Sequence, residues 1–130
     1  MRKNEENEKI LIVQLADPEK EPEKSIAGLI FARTLAVMEN DISIFSMARA
    51  PLLYIKNINE NPLIDKKFKD LIIENLNELL RYSSSVSIYI CSKSKELLSL
   101  DESMLIKPFQ TAGMLTLHNL KQNSDHTYFF

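Results

Sequence analysis

The feature that most constrains the fold is an apolar run of strand length near the start of the chain. Residues 9–16 (KILIVQLA) are almost continuously apolar. A strand without polar alternation is typical of a parallel sheet that is covered on both faces. The run is followed by a polar loop containing Pro18 and Pro22, and then by a helical pattern over residues 23–39. A strand that leads into a long helix is the first half of a βαβ unit.

The same alternation continues to the end of the chain. Strand patterns are predicted at residues 41–47, 86–91, 104–106 and 126–130. Helical patterns lie between them, at residues 68–82, 95–100 and 112–121, and the first of these has the clearest i, i+3, i+4 spacing of apolar residues. Strands that alternate with helices form right-handed crossovers. The sequence therefore predicts an α/β fold, a three-layer α/β/α sandwich with a mainly parallel sheet of about five strands.

The first helical pattern is apolar on two stripes. One stripe contains Ile26, Leu29 and Val37, and the other contains Phe31 and Leu35. A helix that is apolar on two sides is mostly buried. We therefore expect this helix to lie between the sheet and another subunit.

Length and charge limit the class of protein. The chain has 130 residues, which suits one domain over residues 9–130 after a flexible, mixed-charge tail over residues 1–8. A net charge of −2 gives no electrostatic reason to expect nucleic acid or an anionic membrane as a partner. The start of the chain has no secretory signal pattern and no apolar run is long enough to cross a membrane. A cytoplasmic location is expected.

Several kinds of chemistry are disfavoured by what the sequence contains. The two glycines, Gly28 and Gly113, are too few for a glycine-rich phosphate loop. His118 and His126 are not at metal-ligand spacing. A single cysteine cannot form an intrachain disulfide. We therefore expect no metal and no cofactor.

The single cysteine, Cys91, ends a strand pattern (VSIYIC) and is followed by a turn into a short helix (SKSKELL). A thiol at the carboxyl end of a strand, facing a helix amino terminus and the amines of Lys93 and Lys95, is where a thiolate is favoured. Ser92 and Ser94 are interpreted as helix caps. The alternative for Cys91 is a small, inert apolar residue at the end of a strand. The local pattern leaves both interpretations open.

Two more residues are expected at the same edge of the sheet. Because parallel strands end on one edge, Asp17, Arg49 and Cys91 are predicted to converge there. Arg49 is a candidate for binding an anionic sulfur species or a carboxylate of a partner. Its alternative is a solvated loop arginine, and the alternative for Asp17 is a turn residue beside Pro18.

Four segments of the chain form one combined pattern. These are the opening strand, loop and buried helix up to Arg49, the strand that ends in Cys91, the glycine-containing approach FQTAGMLTL to the last helix, and the closing strand that ends in phenylalanine. Together they resemble a known family, the DsrE/DsrF-like sulfurtransferases. Two departures are visible. Many members have an arginine–glycine pair where this chain has Leu98, Ser99 and Leu100, and an acidic–glycine turn where it has Arg49 and Ala50.

The resemblance implies a domain that assembles into trimers or hexamers. It also implies that Cys91 carries sulfur as a persulfide between a donor and an acceptor protein, in sulfur oxidation or in thiolation of transfer RNA. The leading hypothesis is thus a sulfur carrier in which Arg49, Lys93 and Lys95 bind substrate or stabilise the thiolate. The alternatives are a non-catalytic oligomeric subunit with a structural cysteine, and a small-molecule binding domain that uses the same edge.

Overall fold

Five parallel strands form one sheet, as the apolar runs predict. The computed structural model describes residues 7–130, and the strand order is β4-β3-β2-β1-β5. All four strand pairs are parallel. The interior position of β1, between β2 and β5, explains its unbroken apolar sequence, because both of its faces are covered. The strands are β1 (Lys9–Gln14), β2 (Asp41–Ser46), β3 (Val86–Cys91), β4 (Gln110–Ala112) and β5 (His126–Phe129).

Four α-helices cover the two faces of the sheet. Steps from β1 to β4 all run in one direction across the sheet, whereas the step from β4 to β5 runs back over it. Right-handed crossovers therefore place the first two helices on one face and the last helix on the other, which gives three layers. The helices are α1 (Pro22–Val37), α2 (Lys66–Leu80), α3 (Ser92–Leu97) and α4 (Met114–Gln122).

The core is divided in two by the sheet. On the α1/α2 face, strand residues such as Ile12 and Ile44 pack with Leu29 and Ile72 of the two helices. On the α4 face a smaller cluster contains Leu11, Val13, Phe45 and Cys91. The face covered by α4 has much less apolar cover, since no residue of α4 is fully buried.

The two-striped character of α1 has a partial explanation inside the subunit. Phe31, on the second stripe, packs against Tyr128 and Phe130 at the end of the chain, with its ring centroid 4.8 Å from that of Tyr128. Val37 remains exposed at the end of the helix. The expectation that α1 lies against another subunit stays a prediction.

One predicted strand was wrong. Residues 104–106 do not form a strand of the sheet, because Leu105 only makes an isolated antiparallel bridge with Ile55. The ladder with β3 begins later, where Gln110 pairs with Tyr89. The strand that does pair with β3 is β4, which has only three residues and no apolar alternation, so no strand pattern is visible in its sequence.

The predicted tail falls mainly on residues that the structure does not describe. Residues 1–6 lie outside the described range. Glu8, which we also assigned to the tail, donates its backbone N–H to Asn40 Oδ1 at 3.0 Å. Within residues 7–130, no helix combines the length and apolar character needed to cross a membrane.

Candidate functional site

Cys91 lies at the carboxyl edge of the sheet, where β3 ends and α3 begins. Its side chain points to the α4 face and is only 1% exposed. The fully buried contacts on that face are Leu11, Val13 and Phe45. Partly buried apolar residues complete the surroundings of the thiol: Met47, Tyr89, Ala112, Leu117 and Leu120.

Two helices begin side by side at Cys91. Cys91 pairs in register with Ala112 of β4, and the residues that follow these two start α3 and α4. The starts are close, because a Cβ on Gly113 would lie 3.9 Å from Ser92 Oγ. Neither helix has a side-chain cap hydrogen bond, so the N–H groups of both first turns are free of capping side chains at this edge. The positive ends of both helix dipoles are therefore near the cysteine.

The predicted helix caps, Ser92 and Ser94, were wrong. Cys91 itself takes the N-cap position, with extended backbone angles φ −61° and ψ 125°. Ser92 is therefore already the first residue of α3. The strand continues directly into the helix without the turn that the serines suggested.

Arg49 and Asp17 meet at the same edge, as predicted. Arg49 Nε donates to Asp17 Oδ2 and Arg49 Nη2 to Glu19 Oε1, both at 2.9 Å. Asn61 Nδ2 holds the other oxygen of Glu19 at 2.9 Å. The hydrogen bond with Asp17, followed by the charges of both acids, raises the pKa of Arg49. The guanidinium is thus paired with two carboxylates of the β1–α1 loop. The Asp17 carboxylate also accepts the backbone N–H of Glu19, which is the turn role considered for it.

The two lysines after the cysteine have different surroundings. Lys93 is exposed and pairs with Glu96 at 2.9 Å, a contact that raises the pKa of Lys93. Lys95 is mostly covered; its Nζ donates to Thr111 Oγ1 at 3.0 Å and pairs with Glu102 at 3.2 Å. Lys95 therefore links α3 to β4, the two elements that flank Cys91.

Hydrogen bonds join some of the predicted site residues to their neighbours at this edge, but none of these bonds reaches the Cys91 thiol. Arg49 is joined to Asp17, and Lys95 is joined to the strand beside Cys91. Among residues 7–130, no side-chain hydrogen bond of Arg49, Lys93 or Lys95 goes to the thiol. Sequence reasoning missed the start of α4 beside the cysteine, because the pairing of β4 with β3 has no local signal.

The two departures from the family pattern lie at or beside residues with left-handed backbone. Ser99, within the first departure, closes α3 with φ 55°, and Ala48, directly before the second, has φ 57°. Left-handed angles of this kind favour glycine, so Ser99 and Ala48 stand where glycine would be less strained.

The described part of the chain has no cluster of three or more histidine, cysteine or acidic residues that could hold a metal ion. The chemistry available at this edge is that of one thiol, the backbone N–H groups of two helix starts and nearby basic side chains.

Comparison with known proteins identifies the family. The family model described as "DsrE/DsrF-like family" matches residues 8–130. The ychN protein from E. coli is similar in structure, with a TM-score of 0.77 and 20% identity over 95% of this chain and 99% of that one. A protein of unknown function, MTH1491 from Methanobacterium thermoautotrophicum, has a TM-score of 0.59 and 10% identity over 93% of this chain and 97% of that one. No curated protein sequence matches the chain. The family match spans nearly the whole sequence, and the chain belongs to the DsrE/DsrF-like family.

Proposed function

We propose that this protein is a sulfur carrier that accepts sulfane sulfur on Cys91 as a persulfide and passes it to a partner protein. One observation carries the proposal. The only cysteine of a DsrE/DsrF-like chain lies at the carboxyl end of a parallel strand, beside the starts of two helices. Helix starts favour negative charge, so they would stabilise both the thiolate and the persulfide anion.

The chemistry needs one thiol and no external oxidant. The Cys91 thiolate attacks the outer sulfur of a persulfide or polysulfide, a new S–S bond forms, and the S–S bond of the donor breaks. A persulfide donor leaves as a thiolate, and a polysulfide leaves as an anion shorter by one sulfur. The thiolate of an acceptor protein then attacks the outer sulfur on Cys91, and Cys91 leaves as a thiolate. The sulfur atom moves without net oxidation or reduction of the protein.

The remaining parts of the proposal concern the basic residues. Lys95 would hold α3 and β4 in place around the thiol through its contacts with Thr111 and Glu102. Lys93 lies in the first turn of α3 and would attract an anionic donor. Arg49, already paired with two carboxylates, would order the neighbouring loop for a partner.

The burial of Cys91 favours a second candidate function. A thiol that is 1% exposed and surrounded by apolar side chains is also what a structural cysteine looks like. In that case the protein is a non-catalytic subunit with the same fold. The two candidates differ in whether the thiol reacts in the folded protein.

Intact mass spectrometry after exposure to polysulfide tests the first candidate. We expect the native protein to gain sulfur that a reductant removes, and Cys91→Ser to gain none. A Lys66→Met variant, changed at an exposed lysine of α2 on the opposite face of the sheet, should gain sulfur like the native protein. Absence of the adduct, together with a thiol that resists a small alkylating reagent at neutral pH, would establish the second candidate instead.

Assembly and partners belong to the same proposal. We propose a homo-trimer or hexamer, supported by large apolar side chains that the single subunit leaves exposed around α4, among them Leu115 at 73% and Phe129 at 62%. The sulfur donor and acceptor would be proteins, and the location would be cytoplasmic.

A further inference from the structure

A buried polar cluster lies on the α1/α2 face of the sheet, opposite the face that carries Cys91. Gln14 and Ser46 are the last residues of β1 and β2 and are partners in the parallel register. Strand alternation places them on the same face as Ile12 and Ile44 of the larger core. Their side chains are closed to solvent, with Gln14 3% and Ser46 0% exposed.

The Gln14 amide is hydrogen-bonded to Tyr54. The Tyr54 hydroxyl donates to Gln14 Oε1 at 2.7 Å. Because the amide oxygen accepts this bond, the NH2 group of Gln14 points away from Tyr54. Burial raises the pKa of Tyr54 well above its ordinary value, against a smaller lowering by the bond to Gln14, so the phenol keeps the proton that it donates.

Two polar atoms of this buried cluster have no hydrogen-bond partner in the described part of the chain. Among residues 7–130, neither Gln14 Nε2 nor Ser46 Oγ has a hydrogen-bond partner in the protein. A buried polar group left unpaired costs about 1–3 kcal/mol, and nearly all such groups in native interiors are paired. These two belong to register partners on adjacent strands, and neighbouring strands are about 4.8 Å apart, so one small ligand between the side chains can serve both.

We propose that Gln14 Nε2 and Ser46 Oγ bind one water molecule between the ends of β1 and β2. The Gln14 amide donates to the water oxygen. The water in turn donates to Ser46 Oγ, or accepts the hydroxyl proton of Ser46. A water molecule is the suitable ligand because it both accepts and donates hydrogen bonds and is the smallest ligand that does so, as the burial of both residues requires. Through Tyr54, the bound water joins both strand ends to the 3-10 turn Ala50–Tyr54, which directly follows Arg49. The site is independent of Cys91 and stands whether or not the proposed sulfur chemistry is correct.

High-resolution diffraction from crystals of the full chain tests the site directly. We expect a full-occupancy water peak within hydrogen-bonding distance of both Gln14 Nε2 and Ser46 Oγ. A dry space, or a Gln14 side chain turned so that Nε2 bonds a protein acceptor, would overturn the proposal.

A double-mutant cycle provides a second test in solution. If Gln14 and Ser46 share a water, the effects of Gln14→Leu and Ser46→Ala should not be additive. The unfolding equilibrium constant of the double variant should differ by at least about twofold from the value that the two single variants predict. Ser43→Ala is the matched control, since Ser43 lies on the same strand but on the opposite face, and it should be additive with Gln14→Leu. Additivity of the Ser46 pair would count against the shared site. If Gln14→Leu does not fold, the diffraction result decides.

Discussion

At the scale of single residues, this chain places non-glycine residues where the backbone favours glycine. Glu39, Ala48 and Ser99 all have φ between 55° and 68°. Ser99 ends α3 with the hydrogen bond from Leu100 N to Lys95 O at 2.9 Å that is typical of a left-handed helix cap. These three turns have an energetic cost, since a left-handed conformation costs an L-residue about 1–2 kcal/mol.

Ser99→Gly should stabilise the protein. Glycine removes the left-handed strain but loses more entropy on folding, so the expected net gain is about 0.5–1 kcal/mol in the free energy of unfolding. Denaturant unfolding at neutral pH measures it. Ser84→Gly is the matched control, because Ser84 is exposed in a turn and does not have positive φ. An equal gain in both variants would refute the strain argument.

Tyr54 should make stability depend on alkaline pH. The unfolded chain ionises this tyrosine near the ordinary pKa of 10.0, whereas burial raises the pKa in the folded protein. The stability that comes from keeping Tyr54 protonated is fully present below the unfolded pKa of 10.0. It is lost as the pH rises from there towards the higher pKa of the folded protein, by up to about 1.4 kcal/mol per pH unit.

Urea unfolding from about pH 9 to pH 11 should therefore show a shallower fall in stability for Tyr54→Phe than for the native protein. Tyr128→Phe, which changes a more exposed tyrosine, should keep the native slope. Identical slopes in all three proteins would show that Tyr54 is not held protonated by burial.

At the scale of elements, α4 covers the layer that contains Cys91. The helix has no fully buried residue, and it packs on the cysteine's cluster mainly through Leu117 and Leu120. Elements with few buried contacts open locally at low free-energy cost. The proposed sulfur transfer needs such an opening, because the closed thiol is 1% exposed.

Leu117→Ala should expose the thiol more often. If α4 opens more easily by about 1.4 kcal/mol, alkylation of Cys91 becomes about tenfold faster. The measurement is the rate of thiol modification under native conditions, with unfolding checked separately by circular dichroism. His118→Ala, an exposed position on the same helix, should leave the rate unchanged. Equal rates for the two variants would show that α4 does not limit access.

At the scale of the whole molecule, the two faces of the sheet are covered unequally. Two long helices cover one face, whereas a nine-residue helix covers the other and leaves Met114 and Leu115 exposed in its first turn. Phe129 faces the same side, since it pairs in register with Val13. Large apolar side chains that are exposed on the same thinly covered layer are typical of an interaction surface.

Leu115→Glu should weaken self-association of the subunit. A charge in an apolar interface is left unpaired and desolvated, so the expected loss of association is at least about tenfold. Sedimentation velocity over a range of concentrations measures it. Leu63→Glu, an equal change at a loop residue that is 67% exposed, should assemble like the native protein. A native protein that is monomeric throughout would contradict the proposed assembly.

Local patterns in the sequence determined the elements, because burial and periodicity act over a few residues. The run at residues 9–16 predicted a strand covered on both faces, which is β1, and VSIYIC predicted β3 with Cys91 at its end. The alternation of strands and helices, with right-handed crossovers, determined the layers. Only the three-residue β4 was missed, since its place depends on pairing with β3 and not on its own side chains.

The surroundings of each side chain were decided only by the tertiary structure. The sequence placed Lys93 and Lys95 beside Cys91, yet their hydrogen bonds go to Glu96, Glu102 and Thr111. Whether Cys91 faces solvent or an apolar layer depends on α4, which begins more than twenty residues later and reaches the thiol because β4 pairs with β3. Such contacts join residues distant in the chain, so no local pattern encodes them. The sequence by itself determined the fold and the position of the thiol at the sheet edge, and the packing of the folded chain decided its burial and its partners.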